Sequence, residues 1–342
     1  MNSSLKSVFT LGAMSAILAA CSPAGQESST PAASGASSAP VAAPAVMKKV
    51  AITAIVEHPA LDAVRQGVID ELAAEGFKEG ENLQIDFQSA QGNTATAGQI
   101  AKKFVGDNPD VIVAIATPSA QSVVAATKNI PVVFSAITDP VAAKLVSSWE
   151  PSGTNVTGIS DELPLQPQID LMKKVVPTLK NVGYVYSPGE INSTIVMDQL
   201  KELLKAQGID LFSVPAQRTT DVPTATRSLK GKVDLIYTSL DNNVVSAYES
   251  MYKVAVENKI PLIAADTDSV ARGAVAALGI NYHDLGMETG KVVARILNGE
   301  KAGDIAPTRV NKLDLYVNKK HAEQEGAVLS DELLKEAAKV ME

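Results

Sequence analysis

The chain has 342 residues, enough for two domains of ordinary size, and 46% of them are apolar while only 4% are aromatic, so its cores must be mostly aliphatic. A formal net charge of -8, with no basic block outside the extreme N-terminus, argues against nucleic acid as a partner. One cysteine, Cys21, excludes an intrachain disulfide and a thiolate zinc cluster; the histidines His58, His283 and His321 are far apart in sequence, which does not exclude a metal site, but nothing in the sequence proposes one.

At the N-terminus Lys6 precedes an apolar run, Val8 to Ala20, that is too short for a stable bilayer anchor. It ends in Leu18-Ala19-Ala20-Cys21, small residues that let an extended chain enter a signal peptidase. The segment resembles a bacterial lipoprotein signal, residues 1–21, with Cys21 as the lipidation point; the alternative is an ordinary secretory signal with a chance cysteine. Residues 22–47 are Ser, Ala, Pro and Gly with almost no large apolar groups. They cannot offset their chain entropy by burial and read as a flexible tether. The expected location is extracytoplasmic, lipid-anchored to a bacterial membrane and not spanning it.

The folded body starts at residue 48. Val50 to Val56 reads as a buried parallel strand, followed by a helix with Leu61, Val64, Val68 and Leu72 at helical spacing and a stop at Gly76. Asn82–Phe87 is a strand, Ala95–Val105 a helix, Asp110–Ala116 a strand, and a helix runs to Thr127. Strands alternating with helices of this length predict βαβ units and parallel sheets, an α/β fold.

The stretch Pro131 to Pro164 holds the next strand, which turns polar at Ser135, Thr138 and Asp139. A short helical run after Pro140, then Asn155–Ile159 as a strand, then a helix after Pro164 are expected. A parallel strand with a polar C-terminal end is where open α/β sheets bind ligands, and a turn-rich exit suits a crossing between domains. This stretch is therefore expected to hold one cleft wall and a hinge.

The pattern then repeats: strands at Asn181–Tyr186, Ile209–Val214, Val233–Thr238 and Pro261–Ala264, with helices between. Asn129-Ile130-Pro131-Val132-Val133 is echoed by Lys259-Ile260-Pro261-Leu262-Ile263, which predicts two similar lobes. Ala274–Ile280, a helix from about Asp284 to Leu297, an edge strand in Val310–Val317 and an amphipathic helix over 330–341 complete the chain.

Polar residues cluster at the strand ends: Glu57 and His58, Thr117 and Ser119, Thr138 and Asp139. Parallel strands bring these to one edge, and Thr117 and Ser119 also start a helix, where an anion is favoured. Each Ser or Thr alone is better explained by helix capping; three convergent clusters shift the balance towards a site.

Several segments are similar to a known family. Val56-Glu57-His58-Pro59-Ala60-Leu61-Asp62, Ala136-Ile137-Thr138-Asp139-Pro140-Val141, Gly158-Ile159-Ser160-Asp161, Tyr186 to Ser193 and Leu240-Asp241-Asn242 resemble motifs of ABC-transporter substrate-binding proteins of the tryptophan/tyrosine-binding type. The resemblance implies a type I periplasmic-binding-protein fold: two Rossmann-like lobes with parallel sheets, a multi-strand hinge, and a ligand between the lobes. The expected lobes are 48–159 plus about 277–305, and 160–276 plus about 306–342. It also implies delivery of an aromatic amino acid to a permease and ATPase by a monomer, with no catalysis and no cofactor.

The expected ligand residues are Glu57, His58, Thr117, Ser119, Thr138, Asp139, Ser187, Glu190, Asn192, Ser193, Asp241, Asn242 and Asp266. For a zwitterion, Asp139, Asp241, Asp266 and Glu190 are candidates for the ammonium. Thr117, Ser119, Asn192 and Ser193 are candidates for the carboxylate. His58, Tyr186 and Trp149 could offer an aromatic wall, although Trp149 is rather expected to pack at the hinge edge and His58 reads equally as a turn histidine before Pro59; Phe134 and Tyr237 are expected in the core. A ligand sensor for a membrane receptor, or a sugar- or nucleoside-binding protein of the same fold, remain open alternatives at this point. An enzyme is disfavoured, since no nucleophile elbow, phosphate loop or metal spacing is present.

Overall fold

The structure, a computed structural model, describes residues 47–342. Cys21, the signal-like segment and the tether up to residue 46 lie outside the described residues. The first elements are β1 (Lys48–Ala54), α1 (Pro59–Ala74), β2 (Leu83–Ser89), α2 (Thr94–Asp107), β3 (Val111–Ile115), α3 (Thr117–Ala126), β4 (Val132–Ile137) and β5 (Val156–Ser160). Next come α4 (Leu165–Val175), β6 (Asn181–Tyr186), α5 (Ile191–Lys205), β7 (Asp210–Pro215), α6 (Val222–Arg227), β8 (Leu235–Thr238) and α7 (Asn242–Ser246). They are followed by α8 (Tyr248–Asn258), β9 (Leu262–Ala264), α9 (Ser269–Arg272) and β10 (Ala276–Gly279). The chain closes with α10 (Tyr282–Leu297), β11 (Thr308–Arg309), β12 (Asp314–Asn318), α11 (Lys319–Glu325), α12 (Asp331–Glu336) and β13 (Lys339–Met341).

These strands form two sheets. The first, β11-β5-β4-β3-β1-β2, is parallel throughout. The second, β13-β12-β10-β9-β8-β6-β7, is parallel except where β12 runs against β10. Central strands read as unbroken apolar runs because helices cover both faces; every residue of β3 is fully buried. This is the α/β arrangement of two Rossmann-like lobes expected from the sequence.

Three segments pass between the sheets: 161–164 after β5, 280–281 after β10, and 310–313 after β11. The first and third are held side by side, since β11 pairs with β5 at Thr308↔Ile159 and Arg309↔Ser160. After the second crossing α10 packs along α1 through two facing glycines. A Cβ on Gly286 would lie 2.2 Å from the Val64 carbonyl oxygen, and one on Gly67 2.2 Å from that of His283. The near-contact of the two backbones brings the starts of both helices to one end of the first sheet.

Some local expectations are corrected. The segment after Asp139-Pro140 is a run of turns, not a helix, with Lys144 at φ 60. The strand within 310–317 is β12, shifted to Asp314–Asn318, and it is not an edge: β10 and β13 flank it. The helix expected over 330–341 stops at Glu336, because Val340 pairs with Val317 in the sheet and Ala338 donates its N–H to the Leu315 carbonyl. Apolar spacing alone does not separate a full helix from a half-helix followed by a strand.

Candidate functional site

The cavity between the two sheets is built from strand ends and helix starts. The non-atom space within it and at its solvent-facing mouth is about 340 Å³. From the first sheet's side come His58, Ala60 and Leu61 at the start of α1, Thr117 at the start of α3, and Ala136 and Thr138 at the end of β4. From the second come Asn192 in α5, Leu240, Asp241, Asn242 and Val245 around α7, and Asp266 after β9. Asp161 and Tyr282, at two of the crossings, complete the wall.

Backbone geometry aims these groups. Ala116 and Ala136 hold φ 71 and 56, values that cost a non-glycine residue about 1–3 kcal/mol. At Ala136 the pairing of β4 with β5 shifts register between Ser135 and Ile137, a bulge that turns the residue toward the cavity. His58 caps α1: its Nδ1 accepts the Leu61 N–H at 3.4 Å, which leaves the proton on Nε2. Burial first, and the Arg272 charge second, depress its pKa to about 3, so the ring is neutral.

The carboxylates differ in what already binds them. Asp241 accepts the Ser187 N–H at 2.6 Å, the Ser187 hydroxyl at 2.8 Å and the Val244 N–H at 3.0 Å. Asp266 accepts the N–H and hydroxyl of Ser269 at 2.8 and 2.7 Å. Asp161 accepts the Tyr282 hydroxyl on Oδ2 at 3.0 Å, with the Thr138 side chain near enough to favour its charge. Its buried Oδ1 has no hydrogen-bond partner among the described residues. Burial raises the pKa of all three, that of Asp161 to about 6. Glu190 sits behind the lining. It accepts from Asn192 Nδ2 at 3.0 Å, the Asn242 N–H at 3.1 Å and Asn242 Nδ2 at 2.7 Å. Burial and then the nearby Asp241 charge push its pKa up to about 8.

Of the residues expected from sequence, His58, Thr117, Thr138, Asn192, Asp241, Asn242 and Asp266 line the cavity. The others are placed elsewhere. Glu57 is exposed and accepts from Gln91. Asp139 caps the turn that follows it, accepting from the N–H groups of Val141 and Ala142. Ser119, Ser187, Glu190 and Ser193 are buried around the lining groups. Among the proposed aromatic walls, Trp149 stacks under the Arg309 guanidinium at 3.8 Å and Tyr186 packs near Tyr184, both away from the cavity. Phe134 and Tyr237 are core.

Sequence reasoning passes over Asp161 and Tyr282. For Asp161 a signal is present: it is the first polar residue after β5, as Thr117 is after β3. Tyr282 carries no signal of its own; only the return of the chain at the second crossing brings it to the site. No group of residues able to hold a metal ion occurs among the described residues, and no described helix is long and apolar enough to cross a membrane.

Comparison with known proteins bears on this geometry. Residues 49–341 match the family described as ABC transporter substrate binding protein. The tyrosine-binding protein of Clostridioides difficile (strain R20291) is 41% identical over 258 residues, 75% of each chain. A crystal structure of an ABC domain in complex with L-Trp from Streptococcus pneumonia is similar with a TM-score of 0.83 at 33% identity, covering 86% of this chain and all of that one. The ligand-free, open structure of a substrate-binding protein with adhesive properties from Clostridium difficile is 41% identical, covering 86% of this chain and 99% of that one, yet its TM-score is 0.65.

Proposed function

Because this chain belongs to the ABC transporter substrate-binding protein family, we propose that it captures an aromatic amino acid between its two lobes and delivers it to a membrane permease driven by an ATPase. Tyrosine, tryptophan and phenylalanine are the candidate ligands. The observation that carries this reading is the lobe arrangement. The chain resembles an L-Trp complex more closely than a ligand-free open relative, although the open relative is nearer in sequence. A cleft lined by carboxylates, hydroxyls and aliphatic groups suits a zwitterion with a large apolar side chain.

The order of strand ends supports a pose. Across the first sheet, β5, β4, β3 and β1 are successive neighbours, about 4.8 Å apart. Their ends present Asp161, Thr138, Thr117 and His58 in that order. Hydroxyls of Thr138 and Thr117, with the N-terminus of α3 behind them, receive the ligand carboxylate. The side chain lies over Leu61, Leu240 and Val245 and ends near His58, whose Nε2–H offers one donor to a phenol oxygen. Lobe boundaries fall at the three crossings. Cys21, once lipidated, tethers the protein to the outer side of a bacterial membrane as a monomer.

Calorimetric titration of the purified chain, unfolded and refolded to strip bound ligand, tests the assignment. Saturable binding confined to aromatic amino acids is expected within a panel of the twenty amino acids, ribose and adenosine. Binding of ribose or adenosine instead would overturn the amino-acid reading.

A further inference from the structure

We propose that Asp161 is the receptor for the ligand's α-ammonium group and that Tyr282 is its positioning residue, an assignment that rests on the amino-acid reading above. Three carboxylates line the cavity, and their hydrogen bonding separates them. Both oxygens of Asp241 are engaged by Ser187 and Val244, and both oxygens of Asp266 by Ser269. Each is satisfied by its own lobe without a ligand. Asp161 is 2% exposed, and its Oδ1 has no donor among the described residues. A buried carboxylate oxygen left unpaired is costly, and an ammonium carries three donors and the opposite charge.

Position adds an independent argument. Asp161 follows β5, directly beside the end of β4 with Thr138 and one strand further from Thr117. An α-amino acid carries its ammonium and carboxylate on one carbon, so their receptors must be neighbours. Asp241 and Asp266 stand on the second sheet's side, across the cavity from those hydroxyls.

Asp161 is also the first residue of the first crossing, and Tyr282 follows the second crossing at the start of α10. Their hydrogen bond therefore ties two crossings together at the ligand. An ammonium on Oδ1 fixes the Asp161 carboxylate against Tyr282, so that ligand charge and hinge geometry are set by the same group.

A ligand-and-residue cycle tests this. Affinities of L-tyrosine and of 3-(4-hydroxyphenyl)propionate, which lacks only the amine, are measured by calorimetry for wild type and for the isosteric Asp161→Asn. In wild type, loss of the amine is expected to weaken binding by about 10–100-fold, the value of a hydrogen bond to a charged group. In Asp161→Asn the two ligands are expected to bind within about threefold of each other. L-tryptophan and indole-3-propionate give the same comparison where tyrosine is the weaker ligand. Tyr282→Phe is expected to keep the amine preference while moving the acid limb of the affinity–pH profile upward, because it removes a hydrogen bond that favours the ionised carboxylate. An Asp161→Asn protein that retains the wild-type preference for the amine overturns the assignment and leaves the amino-acid reading standing. Wild-type protein that binds no aromatic amino acid overturns both.

Discussion

The hydroxyl of Tyr282 donates to Oδ2 of Asp161 across 3.0 Å, joining the segment where the chain leaves its first sheet to the segment where it returns. The bond is buried, and burial outweighs it, so the Asp161 pKa stands near 6. Ligand affinity should therefore fall below that pH, by up to about tenfold per pH unit, as Asp161 takes up a proton and loses its attraction for an ammonium; Asp241 and Asp266 in the lining and Glu190 behind it, all raised by burial, titrate separately. Neighbouring Glu162, also raised by burial, adds negative charge beside it. His58 stays neutral throughout this range and does not contribute. Titrations between pH 5 and 8 check the profile; Asp161→Asn should remove the limb near pH 6 that belongs to Asp161.

His58 performs two separable tasks, capping α1 and facing the cavity. Asparagine can accept the Leu61 N–H in its place, whereas alanine cannot. His58→Asn is expected to leave thermal stability near wild type and reduce the preference for tyrosine over phenylalanine. His58→Ala should cost about 1 kcal/mol of stability in addition. Thermal unfolding and paired titrations with the two amino acids separate the effects.

Glu190 is one of the buried acids, with Glu325, that make stability depend on pH. Its folded pKa, about 8, lies above the unfolded value of a glutamate, so the folded state binds the extra proton. Stability is thus retained at low pH and lost as pH rises from the unfolded pKa towards 8. Glu190→Gln removes that loss while keeping a carbonyl oxygen for Asn192 and Asn242. The variant should match wild type near pH 5 and exceed it on the order of a few kcal/mol at pH 8, as read by denaturant unfolding. Parallel curves at both pH values would contradict this.

Gly286 faces Val64 where α10 crosses α1, and a Cβ there would sit 2.2 Å from a backbone carbonyl oxygen. Neither backbone can retreat without moving a whole helix. Gly286→Ala should destabilise the protein by about 3 kcal/mol and weaken binding, since His58 and Tyr282 stand at the starts of the two displaced helices. Gly98, where an added Cβ would meet nothing within 4 Å, is the control: Gly98→Ala in α2 should be neutral or stabilising.

The parallel strands are legible because a strand buried on both faces must be apolar throughout, as Val111 to Ile115 is. The rule that ligands collect at strand ends finds His58, Thr117 and Thr138 for the same reason. It stops one strand short of Asp161, which closes the motif Gly158-Ile159-Ser160-Asp161 in a stretch that reads as hinge. Charge alone does not say whether Asp139 and Glu57 line the cavity, because an acidic side chain at a strand end can cap a turn, as Asp139 does, or face water, as Glu57 does. Tyr282 is not legible, since its place depends on the helix–helix approach at Gly67 and Gly286, a long-range contact with no periodic trace in the sequence. The C-terminal strand β13 is hidden by apolar spacing that suits a helix equally well.

The most direct measurement is a crystal structure of the protein with L-tyrosine or L-tryptophan bound at pH 7.5. The ligand is expected between the two sheets, its amine nitrogen about 3 Å from Asp161 Oδ1 and its carboxylate on the Thr117 and Thr138 side. An amine held by Asp241 or Asp266 with Asp161 Oδ1 still unpaired, or a ligand bound outside this cavity, would contradict it.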